Sequence, residues 1–132
     1  MTVQILQPPG WARPKGYSNG VAVRGTQVYV AGMVGWDADC RFTQHDFAGQ
    51  TAQALRNVVA VLAQAGAKPE HIVRMTWYVT DKREYLAAGR EVGQAFREIV
   101  GSYNAAMTLV QVAALVEDAA KVEIEATAVI PD

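Results

Sequence analysis

From Val122 the chain reads Val122-Glu123-Ile124-Glu125-Ala126-Thr127-Ala128, apolar and polar by turns. A repeat of two is the signature of a strand, because successive side chains leave opposite faces. The pattern predicts a strand over residues 121–130, with Glu123, Glu125 and Thr127 on one face and Val122, Ile124, Ala126 and Ala128 on the other. Residues 72–80 alternate in the same way: Val73, Met75, Trp77 and Val79 against Arg74, Thr76 and Tyr78. A different period governs residues 46–65, where Ala48, Ala52, Leu55, Val58 or Val59, and Leu62 recur at helical spacing. Thr43 or Asp46 suits the start of that helix, and Gly66 suits a left-handed stop.

Asp81-Lys82-Arg83-Glu84 has the form of a capping box opening a second helix that runs to about residue 100. Its apolar stripe is Tyr85, Gly89, Val92, Phe96 and Ile99, and close approach to the first helix would offset the helix-weakening glycines Gly89 and Gly93. Before the first helix, residues 21–24 and 27–33 read as a hairpin turning at Gly25-Thr26, with an added strand at 3–6. Residues 107–113 complete the set as a strand. The order β-β-α-β-α-β-β predicts an α+β fold, one sheet with both helices on one face.

That arrangement leaves a face open. Val28-Tyr29-Val30-Ala31 is apolar on both sides, and in the strand from Met107 Leu109 opposes Val110 and Val112. Strands apolar on both faces expect both to be covered. Two helices cover one, so the other is expected to meet another copy in a closed homo-oligomer.

Composition narrows the function. The 132 residues suit one domain, 1–132, and 51% are hydrophobic, enough for a core. Arg56 and Arg74 interrupt the longest apolar segments, so no membrane span is expected. The start, Met1-Thr2-Val3-Gln4-Ile5, lacks the form of a secretory signal, and the lone Cys40 permits no internal disulfide; both fit the cytosol. A net charge of −1 with scattered basic residues is poor equipment for nucleic acid, and a small-molecule ligand is expected instead.

Phosphate-binding glycine loops and a nucleophile elbow are missing. His45 and His71 lack metal-ligand spacing, Asp37 and Asp39 lack the rest of a calcium loop, and Cys40 has no paired histidine by spacing. No metal site is expected. Three segments carry candidate chemistry. Two carboxylates on one strand face, Glu123 and Glu125, are either a solvated face or a proton-moving pair lining a pocket. Gly16-Tyr17-Ser18-Asn19-Gly20 is either a turn or a binding loop. Ala31-Gly32-Met33-Val34-Gly35-Trp36 ends a strand in small residues that let a ligand approach the backbone.

Taken in order, Gly16-Tyr17-Ser18-Asn19, Val30-Ala31-Gly32, Gln53-Ala54-Leu55-Arg56-Asn57, Leu62-Ala63-Gln64-Ala65-Gly66-Ala67, Val79-Thr80-Asp81 and Val122-Glu123-Ile124-Glu125-Ala126 resemble the Rid family of reactive-intermediate deaminases, the RidA/YjgF type. The resemblance implies a chorismate-mutase-like fold and a homotrimer with clefts between subunits. It implies hydrolysis of enamines or imines of 2-amino acids to a keto acid and ammonia, with no metal or organic cofactor. By the same resemblance Glu123 is the proton shuttle and Tyr17 a substrate-positioning group, and Ala31 and Met107 fall at substrate-binding positions; Asn19, Gly32 and Trp36 are read from the sequence as further substrate-binding candidates.

Two of these positions depart from the family pattern. Ala31 stands where the family has a serine, and Met107 where it has the arginine that grips the substrate carboxylate. A thioether cannot make that bidentate pair. Either another cation, such as Arg13, Lys15 or Arg74, reaches the cleft, or the substrate is larger and conjugated, of the 2-aminomuconate kind, against a wall of Met107 with Trp36 or Trp77. The alternative is a non-catalytic small-molecule-binding trimer with a regulatory or chaperone-like role. An RNA-directed activity, attributed to some relatives, is disfavoured by the scattered charge.

Overall fold

The computed structural model describes residues 3–101 and 104–132. Its main sheet has four strands: β3 (Gly25–Val34), β6 (Val122–Pro131), β4 (Ile72–Val79) and β5 (Ala106–Gln111), side by side in that order. Only β4 and β5 run parallel; the other neighbours are antiparallel. Two further strands, β1 (Gln4–Leu6) and β2 (Gly20–Ala22), form a separate antiparallel pair. The helices are α1 (Phe47–Ala63), α2 (Lys82–Ala87) and α3 (Gly89–Ile99), with a 3-10 turn at Pro69–His71.

β6 is central, and its alternation is obeyed. Val122, Ile124 and Ala128 are fully buried under the helices, while Glu123, Glu125 and Thr127 face the other way and are only partly covered. Met75, Trp77 and Val79 of β4 join the same core with Leu55, Val58 and Leu62 of α1 and Val92 and Phe96 of α3. Burying such side chains stabilises the fold by about 1.5–3 kcal/mol each. The helices thus pack on one face, as the pattern predicts. The register shift between Ile72 and Arg74 buries Ile72 and leaves Val73 half-covered, opposite to the simple alternation.

The predicted hairpin does not form. Gly25 and Thr26 lie within β3, paired with Pro131 and Ile130, and β2 pairs with β1 instead. Gly25 has φ +154, and a Cβ there would sit 2.7 Å from the Ile130 carbonyl carbon. The glycine serves a close strand approach as well as an unusual backbone angle.

The second helix is also broken, at Ala88, into α2 and α3. Asp81 caps α2 by accepting from Arg83 N at 2.9 Å, yet Glu84 does not reach back to complete a capping box. It pairs with Lys121 Nζ at 2.9 Å and ties the helix to the start of β6. Nothing lies within 4 Å of where a Gly89 Cβ would be, so that glycine does not serve close helix packing. α1 ends as expected, with Gly66 at φ +73 and Ala67 N donating to Leu62 O at 3.1 Å. Its buried face starts on Phe47, Gln50, Thr51 and Ala54 rather than Ala48 and Ala52.

Candidate functional site

The outer face of the sheet carries the acidic strand. Between Val30 and Met33 the register of β3 against β6 slips by one residue, a bulge that holds Ala31 and Gly32. Glu123 lies directly over that bulge: a Cβ on Gly32 would sit 2.8 Å from Glu123 Cδ. Ala31, Gly32 and Glu123 therefore form one group, with the glycine clearing space for the carboxylate. Beside them Glu125 accepts a very short hydrogen bond from the Tyr78 hydroxyl. That bond, then burial and the charges of Glu125 and Glu123, raise the Tyr78 phenol above its ordinary value; Arg74 opposes the rise. Arg74, Thr76 and Thr127 share a shallow hollow with Glu125.

Tyr17 and Met107 form a second group at the other edge. Ser18 N donates to Ala105 O at 2.9 Å, and Ser18 bridges Ala106 in parallel, which fastens the Lys15–Tyr17 segment beside β5. A cavity of about 390 Å³ opens there between β5, β4, α2 and α3. Tyr17, Trp77, Tyr85 and Phe96 supply aromatic wall, and Met107 closes one side. Trp77 stacks on Phe96 with centroids 6.3 Å apart and meets Tyr85 edge-on at 6.4 Å. The Trp77 indole N–H is buried with no partner among the described residues. An unpaired buried donor costs about 1–3 kcal/mol, so ring contacts rather than polar ones hold Trp77 in place.

The two groups do not meet within one chain. Glu123 pairs across to Tyr78 on β4, whereas Met107 pairs to Met75, and β4 lies between their strands. From strand geometry their Cα atoms are about 14 Å apart. They also face opposite sides of the sheet, since Met107 packs against the helix-side core and Glu123 does not. Asn19 stays near Tyr17 but donates to Gln7 Oε1 at 3.1 Å. Trp36 joins neither group: its ring packs on Phe42 at 5.7 Å, and its carbonyl accepts from Asn57 Nδ2 at 2.8 Å. Of Trp36 and Trp77, it is Trp77 that lines the cavity with Met107.

Of the three alternative cations, Lys15 lines the cavity that Met107 lines. Arg13 lies across Tyr17 in a neighbouring hollow, and Arg74 is on the outer face. Tyr85 and Gly89, read from the sequence as a core stripe, also border the cavity. Their one-turn spacing was the visible signal, but a stripe facing a cavity and a stripe facing core look alike in sequence. No group of three or more metal-ligating side chains occurs among the described residues. Nor is any helix among them long and apolar enough to cross a membrane.

Comparison with known proteins finds that the family model described as endoribonuclease L-PSP matches residues 11–130. A 2-iminobutanoate/2-iminopropanoate deaminase of Salmonella typhimurium is 33% identical over 86% of both chains. The crystal structure of YyfB from Yersinia pestis, a Rid protein of unknown function, superposes with TM-score 0.85 at 31% identity, covering 98% of this chain and 100% of that one. TdcF of E. coli, solved with bound serine, gives TM-score 0.71 at 31% identity, covering 96% of this chain and 98% of that one.

Proposed function

The chain belongs to the Rid (YjgF/RidA) family, and from that premise we propose that it is a hydrolytic deaminase of a reactive enamine or imine. The fold is the chorismate-mutase-like α+β arrangement of that family. The deaminase names of its relatives support the reaction class. The position of Glu123 over the Gly32 bulge supports its role, and is the observation that carries the reading.

In the reaction, water adds its oxygen to the imine carbon while a carboxylate takes the water's proton. That proton passes to nitrogen to give a carbinolamine; the carboxylate then moves the hydroxyl proton to nitrogen as the C=O bond forms and the C–N bond breaks, and a keto compound and ammonia leave. Glu123 is the carboxylate in this scheme, with Tyr17 positioning the substrate. The division of the candidate residues between the outer face and the β5 edge supports a cleft shared by copies of the chain. So does the outer face, where Tyr29 is 70% exposed and Val110 lies open on the opposite edge strand. A homotrimer would cover these residues and bring one chain's Glu123 to another chain's Tyr17.

The test is ammonia release from imines generated in situ by an amino-acid oxidase, and from a conjugated enamine of the 2-aminomuconate type. Wild type should accelerate release, and Glu123→Gln should lose at least about 100-fold, the usual range for a positioned acid–base group. Unchanged turnover in that variant would remove Glu123 from the mechanism. Alanine at 31 and methionine at 107 favour a second reading, a small-molecule-binding trimer without turnover. Tight binding by a wild type that releases no ammonia would select it.

A further inference from the structure

The cavity beside β5 says more about the ligand than the family does. Its walls are aromatic and aliphatic, and no carboxylate lines it among the described residues. Among the described residues its one cation is Lys15, which is exposed and makes no ion pair with any of them. Where the family pattern puts a guanidinium, Met107 adds polarisable apolar surface. A cavity of about 390 Å³ is well above the roughly 150 Å³ that holds a benzene ring. A three- or four-carbon acid would leave much of this half-open hollow to solvent.

We propose that this cavity takes the side chain of an aromatic or extended conjugated carboxylate, with Lys15 holding the anionic group in place of the missing guanidinium. The inference deepens the deaminase reading and rests on it for the reaction, but not for binding. A planar side chain would lie against Tyr17, Tyr85 and Met107, over the nearly buried edges of Trp77 and Phe96, where offset or edge-on ring contacts are favourable. Lys15 offers a point charge rather than a fork, so it attracts the carboxylate without fixing its orientation. Orientation then comes from the ring walls.

Two stable acids test this by calorimetry on the assembled protein: 3-phenylpropanoate and propanoate. The aromatic acid should bind roughly tenfold or more tighter, a modest return for burying a ring. Lys15→Ala should weaken 3-phenylpropanoate roughly tenfold, and Lys15→Arg should restore it. Gly89→Leu provides the steric test. A Cβ there meets nothing within 4 Å and Gly89 lines the cavity, so the variant is expected to fold with its longer side chain taking up space the ring needs. It should erase the preference between the two acids without lowering Tm. Equal affinities in wild type, a preference that survives Gly89→Leu, or indifference to Lys15→Ala would each overturn the proposal. Glu123→Gln separates the two readings: it should cut turnover at least about 100-fold while 3-phenylpropanoate still binds more tightly than propanoate. Selective binding by a wild type that releases no ammonia would sink the deaminase reading alone.

Discussion

Gly32 leaves open the space that the Glu123 carboxylate fills. The bulge in β3 brings the glycine under the carboxylate, and any larger residue there would meet Glu123 Cδ at 2.8 Å. The contact is with the far end of a flexible side chain, which can swing away.

Gly32→Ala is therefore expected to fold with a stability change of no more than about 1 kcal/mol. It should nevertheless cost at least about tenfold in ammonia release, because a displaced carboxylate no longer meets the water it positions. Paired denaturation and turnover measurements check this. A large loss of stability, or full activity, would contradict the arrangement.

Gln50 is a structural test away from the site. It is 1% exposed, donates to Gln44 O at 3.2 Å and Ala119 O at 2.9 Å, and accepts from Lys121 N at 2.8 Å. These bonds tie α1 to the chain entering β6. Gln50→Ala should destabilise by about 2–4 kcal/mol, since it strands backbone groups as well as opening a gap. The midpoint in urea should fall with little change in slope.

Tyr78 should titrate late. Its phenol donates to Glu125, which holds its pKa above the ordinary 10.0. The folded state thus favours the protonated form, and the associated stability is present below pH 10 and lost as pH rises through the raised value. Absorbance near 295 nm should show one tyrosine ionising after the others. That late step should vanish in Tyr78→Phe.

The proposed trimer should come apart at Tyr29, the exposed ring on the outer sheet face. Tyr29→Asp puts a charge on the open sheet face, and burying an unpaired charge is costly enough to block assembly. Light scattering should give a trimer for wild type and a smaller species for the variant. A monomeric wild type would end the shared-cleft account.

Much of this fold is legible where a periodic pattern meets its own element. The alternation of β6, the core side of β4 and the Gly66 stop of α1 follow directly from side-chain geometry. Pairing is less local. Gly25 looks like a turn residue, yet its partner is Pro131, more than a hundred positions away, and no neighbouring residue announces that. Gln50 and Thr51 are polar and buried, which a hydrophobic stripe cannot reveal. For the site, the contact of Glu123 with Gly32 depends on a bulge, and that of Tyr17 with the Met107 cavity on the bridge from Ser18 to Ala106. Both are tertiary facts. The sequence puts Trp36 in the substrate-binding set and Trp77 only as an alternative wall, and it takes the packing of Trp36 on Phe42 and of Trp77 at the cavity to reverse that order.

β4 stands between β6 and β5, and it keeps Glu123 and Met107 on opposite sides of one sheet. A centre assembled from both sides belongs to no single polypeptide. Two defective proteins, one carrying Glu123→Gln and the other Tyr17→Phe, should therefore rescue each other when unfolded and refolded together. The mixed assembly would contain some junctions with both lesions and some with neither.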